Sequence, residues 1–287
     1  MARTYNEIYL DLRRRLRDAG EEEYALYARR LLALAAGYAD SELITRLPLY
    51  ASDEVETKAE EYLQRLLRGE PAAYICGSWD FYGLPMIVNP SVLIPRMDTE
   101  ILVDTALRFL RGVKTAPRVL DLCCGSGCIG CAIASHIPSA HLVLADISPE
   151  ALSVARKNVA LHRLKTRCFV MDADALSPPP IRMENMDMIV SNPPYIPAAE
   201  LETLSPSVRD WEPRLALDGG EDGLIFYEAI LKNWKSVLRD SGLLIFEVGE
   251  DEAAPVRKMM EQSGFSNTGT VRDTLGTERV VFGQKAE

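Results

Sequence analysis

The chain has 287 residues, of which 47% are hydrophobic and 26% are charged, a composition typical of a folded globular protein with room for two domains. No apolar run approaches the ~18 residues that a membrane span needs, and the first residues contain no apolar signal segment, so we expect a cytoplasmic protein without membrane contact. The net charge of −10 disfavours non-specific binding to nucleic acid, and we expect no direct DNA binding.

The first part of the chain, residues 1–75, has the pattern of a small helical bundle. Its apolar residues recur at helical spacing, and the last such stretch ends before Gly69 and Pro71, which are stop signals for a helix. In residues 76–90 the pattern changes to aromatic and β-branched side chains around Gly83, which predicts a β-hairpin that links two domains.

Helical and strand patterns alternate through residues 91–287. Amphipathic stretches of helical length separate most of the candidate strands, which cover residues 119–122, 142–146, 168–171, 188–191, 243–248 and 280–282. This alternation predicts an α/β domain with a mainly parallel sheet and helices on both faces. Ligands in such sheets bind beyond the carboxyl ends of the strands, so the functional residues should directly follow strands.

A glycine-containing turn follows the first of these strands. It reads Cys123-Cys124-Gly125-Ser126-Gly127, and glycines at such a turn let a ligand approach the backbone. A tight turn from strand to helix needs glycine in any case, so this turn alone does not define a ligand.

An acidic residue lies at the end of each of the next two candidate strands: Asp146 is the last residue of one, and Asp172 directly follows the other. Asp146 is placed to accept hydrogen bonds from ribose hydroxyls, although it could also be an ordinary turn residue or a partner in capping the following helix. Asp172 follows the third strand, where its carboxylate and the backbone of Ala173 could meet the edge of an adenine.

The most specific motif is Asn192-Pro193-Pro194-Tyr195, directly after the fourth strand. The prolines fix two φ angles and remove two donors, so the turn is rigid and presents bare carbonyls. The Asn192 side-chain oxygen and the Pro193 carbonyl could each accept one N–H of an amide or aromatic amine, a weak nucleophile that must be aimed at its methyl donor. Tyr195 could stack on the planar group. A proline-rich strand exit with an exposed tyrosine is the alternative.

With these motifs in place, the sequence resembles the protein-(glutamine-N5) methyltransferases, the release factor glutamine methyltransferases. The similarity runs over nearly the whole chain and includes Gly69-Glu70-Pro71, Leu93-Ile94-Pro95-Arg96, Thr99-Glu100, the Asn192 turn, Glu212-Pro213-Arg214, Gly219-Gly220 and Asp222-Gly223-Leu224. The resemblance implies methyl transfer from S-adenosyl-L-methionine to a protein glutamine, with the Gly-Gly-Gln loop of peptide-chain release factors, the proteins of translation termination, as acceptor.

The resemblance also implies an architecture and a set of site residues. Residues 1–75 would dock the protein substrate, and residues 91–287 would form a Rossmann-like domain with a seven-stranded sheet whose last strand is antiparallel. The family's glutamine-binding turn maps onto Asn192, Pro193, Pro194 and Tyr195, and its cofactor positions map onto Cys123, Cys124, Gly125, Ser126, Gly127, Asp146, Asp172, Ala173 and Asn192. Cys123 stands where the family usually has glycine, so its Cβ could crowd the cofactor.

Several other functions remain open from the sequence. A sister enzyme that methylates a ribosomal-protein glutamine would share the chemistry, a DNA adenine-N6 methyltransferase would share the Asn-Pro-Pro turn, and a non-catalytic S-adenosylmethionine-binding protein would share the fold. Cys124, Cys128 and Cys131 also have the spacing of radical S-adenosylmethionine enzymes, which hold an iron–sulfur cluster. That reading leaves Asp146 and Asn192 unexplained, so we expect no metal site.

Overall fold

A computed structural model describes residues 2–113, 115–181 and 183–286 of the chain. It divides into two compact units, one of residues 1–78 with 205–211 and one of residues 79–204 with 212–287. The short segment 205–211 therefore belongs with the helical unit, although it lies far along the chain.

The smaller unit is helical, as expected. A capping box starts α1, because the Thr4 side chain accepts from the Glu7 N–H while the Glu7 carboxylate accepts from the Thr4 N–H. The apolar stripe of this helix, which includes Ile8 and Leu12, is buried. The helices of the first 78 residues are α1 (Tyr5–Asp18), α2 (Tyr24–Ala36), α3 (Asp40–Arg46), α4 (Asp53–Leu67) and α5 (Ala72–Cys76).

The β-hairpin comprises β1 (Ser78–Phe81) and β2 (Leu84–Ile87). The boundary between the two units falls after Ser78, the first residue of β1, so the rest of the hairpin is grouped with the larger unit rather than between two domains. Two kinds of contact explain this. The Asn158 side chain accepts from the Ile87 N–H at 2.7 Å and donates to the Ile87 carbonyl at 3.0 Å. Phe81 and Met86 are buried in the core of the larger unit.

The larger unit is built on a seven-stranded sheet in the order β5-β4-β3-β6-β7-β9-β8. All neighbouring strands from β5 to β7 pair in parallel, and β9 runs antiparallel to both of its neighbours. This confirms the predicted α/β fold with a reversed last strand. The strands are β3 (Arg118–Leu122), β4 (His141–Asp146), β5 (Cys168–Asp172), β6 (Met186–Ser191), β7 (Leu238–Glu247), β8 (Phe265–Arg272) and β9 (Glu278–Lys285).

Helices cover both faces of the sheet. Alternate residues of β3 show this, since Val119 packs into one buried cluster with α6, α7 and α8, while Leu120 packs into the other with α10 and α11. The remaining helices of the chain are α6 (Met97–Leu110), α7 (Cys128–His136), α8 (Pro149–Leu161), α9 (Pro206–Arg209), α10 (Ile225–Asn233) and α11 (Ala253–Gln262). Among the described residues, none of these helices is both long and apolar enough to cross a bilayer.

The strand order reverses at β3. From there the chain adds β4 and β5 on one side and then returns to place β6 on the other side. The carboxyl ends of β3 and β6 therefore flank a topological switch point, where open α/β sheets bind their ligands.

Candidate active site

A cleft lies beyond the carboxyl ends of β3 to β6. It encloses about 900 Å³ of empty space, including its open mouth. Four of its lining segments lie at the carboxyl ends of β3, β4, β5 and β6 and are called strand exits here: 123–129, 146–151, 173–175 and 192–194. Two further segments, 91–99 and 213–226, form its walls.

The glycine turn, residues 123–127, forms the part of the cleft that directly follows β3. The Gly125 N–H donates to Asp146 Oδ2 at 2.8 Å, and the Cys124 N–H donates to the Ala145 carbonyl at 3.0 Å, so the turn is fixed to the end of β4. A Cβ on Gly127 would lie 2.8 Å from Leu144 Cδ2, whereas a Cβ on Gly125 would meet nothing within 4 Å. Gly127 is therefore needed for packing, and Gly125 leaves space beside the backbone for a ligand.

Cys123, which stands where the family usually has glycine, has a backbone conformation that favours glycine. Its φ is +61°, in the left-handed region that costs a residue with a Cβ about 1–2 kcal/mol. Its side chain also lines the cleft. The sequence departure therefore introduces local strain as well as bulk at the site.

We expect Cys123→Gly to raise the free energy of unfolding by up to about 1 kcal/mol. The strain released exceeds the ~0.4–1 kcal/mol of chain entropy that glycine adds to the unfolded state. Thermal unfolding of the apoprotein measures this change. Cys123→Ala is the matched control, because it removes the thiol but keeps the Cβ; equal stability of the two variants would show that backbone strain is not the cause.

Asp146 organises the second strand exit. Besides accepting from Gly125, its carboxylate accepts from the Ser148 N–H at 3.0 Å, which places Oδ1 at the start of α8. Burial raises the pKa of this carboxyl, and the N–H donors oppose that effect. Asp146 therefore supports the helix start, and it also lines the cleft with acceptor capacity left for hydroxyl groups. Contact with ribose hydroxyls stays a prediction.

The third strand exit is arranged differently from expectation. Ala173 lines the cleft, together with Asp174 and Ala175, but the exposed Asp172 is not among the lining residues. Ile147, which also lines the cleft and is 46% exposed, offers an apolar surface. Contact of an adenine with Asp172 stays a prediction, and the structure adds Ile147 as a candidate for the apolar face of the base.

The Asn192 turn forms the end of the cleft below β6. Asn192 and Pro194 line it, while Pro193 is buried and the Tyr195 ring packs against the core beneath α10 and α11. Burial raises the pKa of the Tyr195 hydroxyl well above its usual range, so the ring is neutral. Stacking of Tyr195 on an acceptor group stays a prediction.

A second loop fixes the backbone behind this turn. The Ile196 N–H donates to the Leu217 carbonyl at 3.0 Å, and the Gly219 N–H donates to the Ile196 carbonyl at 2.9 Å. A Cβ on Gly219 would lie 2.7 Å from Tyr195 Cα, and one on Gly223 would lie 2.4 Å from the Tyr195 carbonyl oxygen. The glycines of this loop are therefore required because it packs directly against the turn.

The cleft walls carry residues whose positions the sequence analysis did not assign. Glu212 is buried, its Oε2 accepts from the Ile94 N–H at 3.0 Å, and its other oxygen pairs with Arg96. Arg96, Thr99, Pro213, Leu215 and Phe226 line the cleft. The Leu93–Arg96 and Glu212–Arg214 motifs were visible in the sequence, but only the fold brings them together.

The cysteines do not form a metal centre among the described residues, which contain no cluster of metal-ligating side chains. All six cysteines are free thiols. Burial raises the pKa of Cys128 to about 12 and that of Cys124 and Cys131 well above the usual range. The three are protonated at neutral pH and pack around the glycine turn and α7.

These features fit S-adenosylmethionine chemically: open space beside Gly125, an acceptor at Asp146 and apolar surface at Ile147. The same fold occurs in a methyltransferase from Pyrococcus furiosus (TM-score 0.53, 16% identity, 79% of this chain and 100% of that one). This likeness shows the fold; together with the match of residues 98–206 to the Methyltransferase small domain, it defines an S-adenosylmethionine-dependent methyltransferase.

Residues 7–77 match the PrmC N-terminal domain, and residues 98–206 match the Methyltransferase small domain. The chain is 39% identical to the release factor glutamine methyltransferase of Geobacter sulfurreducens (94% of this chain, 92% of the relative) and 38% identical to that of Caulobacter vibrioides (94% and 93%). The chain belongs to the release factor glutamine methyltransferase family.

Proposed function

We propose that this chain transfers a methyl group from S-adenosylmethionine to the side-chain amide nitrogen of a glutamine in a peptide-chain release factor. The observation that carries the proposal is that the Asn192 side-chain amide lines the end of a cleft suited to the cofactor, in a turn made rigid by two prolines. The resemblance of the sequence to the family points to the Gly-Gly-Gln loop as the acceptor.

The acceptor nitrogen is a weak nucleophile because its lone pair is delocalised into the carbonyl. The cofactor supplies an electrophilic methyl group bound to a sulfonium. Asn192 Oδ1 and the Pro193 carbonyl oxygen accept one N–H each, which turns the nitrogen toward the methyl group. Such alignment can contribute ~7–11 kcal/mol to lowering the barrier. With the cofactor bound, the N–C bond would form as the S–C bond of the sulfonium breaks, S-adenosylhomocysteine would leave as a neutral thioether, and one N–H proton would pass to water, so atoms and charge balance.

Selection of one protein glutamine requires surface beyond the Asn192 turn, because a glutamine side chain alone offers few contacts. The helical unit of residues 1–78 with 205–211 is the substantial part of the chain that the cleft does not use. We assign acceptor docking to this unit. An acceptor that works in translation termination places the enzyme in the cytoplasm.

Mass spectrometry of a release factor after incubation with the enzyme and S-adenosylmethionine tests the proposal. We expect one added methyl group, about 14 Da, on the Gly-Gly-Gln glutamine, and none on a release factor with that glutamine changed to alanine. Ribosomal proteins and duplex DNA serve as competing substrates. Methylation of either of these in place of the release factor would overturn the assignment.

A further inference from the structure

The end of the sheet opposite the cleft carries two adjoining grooves. The first encloses about 950 Å³ of open space between α8 and β5, and the second encloses about 670 Å³. The second is lined by Arg118, His141 and Cys168, the first residues of β3, β4 and β5, so it lies at the amino ends of these strands. Lys165, Cys168 and Phe169 line both grooves, which therefore form one continuous surface, called the basic track here.

The charged side chains of the basic track are cations. Among the described residues that line it, none is Asp or Glu, and five are Arg or Lys: Arg118, Arg156, Lys157, Lys165 and Arg167. Four of these lie in residues 151–171, a stretch without an acidic residue in a chain whose net charge is −10.

Three of these cations are free to meet a partner. Arg156, Lys157 and Lys165 are exposed, and within the described part of the chain their side chains take part in no ion pair or hydrogen bond. Near the far end of the track, the Asp187 carboxylate accepts from the Arg118 N–H at 2.8 Å and is already paired with Arg239 at 2.7 Å. The track therefore presents uncompensated positive charge.

Phe169 stands where the two grooves meet. It lies on β5, the strand at the edge of the sheet, and is 61% exposed. Single apolar side chains on a surface are common, but this ring has cations on both sides of it along the track. A cationic groove with an aromatic platform is the arrangement that binds single-stranded nucleic acid, because the cations follow the phosphates while bases stack on the ring.

Simpler explanations account for only part of the basic track. Cations beside an edge strand discourage pairing with other chains, which would explain Lys165 and Arg167. They do not explain Arg156 and Lys157, which lie on α8, or the exposed Phe169. The negative total charge does not oppose local binding strongly, because charges more than about 8 Å apart are largely screened at physiological salt.

We propose that the basic track is a second binding site of this protein, which holds a segment of single-stranded RNA with its phosphates on Arg156, Lys157 and Lys165 and a base stacked on Phe169. The bases of a duplex are stacked on one another and cannot use the ring. An acidic peptide matches the cations but offers no base to the ring, and a flat membrane surface does not enter a groove. The site is separate from the methyl-transfer cleft, so it adds an anchoring function to the enzyme.

The salt dependence of RNA binding tests the role of the cations. Fluorescence anisotropy with a labelled oligouridine of about ten nucleotides should show binding at about 50 mM salt, with a slope of log Kobs against log salt near −2, since each phosphate contact adds about −0.7. Replacing both Lys157→Gln and Lys165→Gln should bring the slope to about −0.7. Lys232→Gln with Lys258→Gln is the matched control, because it makes the same change in charge at exposed lysines on α10 and α11 and should leave the slope unchanged.

Replacement of Phe169 tests the aromatic platform. Phe169→Ala should raise the Kd of oligouridine about 5- to 30-fold, whereas Phe169→Tyr keeps the ring and should bind as wild-type protein does. Because the side chain is largely exposed, the fold should survive, and kcat for glutamine methylation should stay unchanged in every variant of the basic track.

Several results would overturn the proposal: no binding of oligouridine at about 50 mM salt, equal losses in the two double-lysine variants, or an unchanged Kd in Phe169→Ala. Tighter binding of an RNA duplex, the matching DNA strand, a polyglutamate peptide or anionic vesicles than of oligouridine would also overturn it. Methyl transfer is measured separately, so failure of this proposal leaves the proposed function standing.

Discussion

Replacement of Asn192 by alanine should lower kcat for glutamine methylation by at least ~10², because it removes one of the two acceptors that aim the amide nitrogen. The side chain lies at the end of the cleft and bonds one other side chain, Thr99, so the fold should survive. Single-turnover rates with saturating S-adenosylmethionine and release factor measure the loss at the chemical step.

Two further measurements make this result decisive. The Kd of S-adenosylmethionine, from calorimetry, reports any contribution of Asn192 to the cofactor site. Asn233→Ala is a matched control, since that amide bonds the Leu176 carbonyl at 2.8 Å, away from the cleft, and should leave kcat unchanged. Near-wild-type turnover by Asn192→Ala would remove the Asn192 turn from the mechanism.

Replacement of Asp146 by alanine should weaken binding of S-adenosylmethionine by about 1.5–3 kcal/mol, which is roughly a 10- to 150-fold rise in Kd. The carboxylate offers acceptors to ribose hydroxyls, and it also holds the Gly125 and Ser148 N–H groups in place. Both losses act on the cofactor site. Calorimetric titration of the apoprotein with S-adenosylmethionine gives the value.

Glu150→Ala provides the control for the change in net charge. Glu150 lies in the first turn of α8 but is exposed and does not line the cleft. Its Kd should match that of wild-type protein within about twofold, a difference near 0.4 kcal/mol. If Asp146→Ala binds the cofactor as tightly as Glu150→Ala does, Asp146 has no part in the ribose site.

The sequence predicted the strand exits better than the cleft walls. Strong apolar runs marked β3, β4 and β6, and residues directly after them, such as Asn192, line the cleft; the functional roles of these residues stay predictions. These signals are local. By contrast, the pairing of Glu212 with Arg96 joins residues 116 positions apart, and nothing in either motif alone predicts it.

The strand that the sequence analysis missed is β8. Its residues include Asn267 and Gly269, and Phe265 is the one buried residue of its eight, so it lacks the apolar alternation of a core strand. It lies at the edge of the sheet and exists through pairing with β9. Local patterns cannot reveal a strand that is specified by its neighbour.

The segment 205–211 has a consequence for how this enzyme could acquire a new substrate. The helical unit is discontinuous in sequence: the chain leaves the larger unit after Leu204 and re-enters it at Glu212, whose buried carboxylate bonds Ile94 and Arg96. A recombination event that exchanged only residues 1–78 would pair a foreign bundle with the resident 205–211 segment. Exchange of the whole helical unit, to which we assign acceptor docking under the proposed function, therefore requires three crossovers, after residues 78, 204 and 211. If that assignment holds, substrate range in such a chain should change by point substitution more readily than by exchange of a whole module.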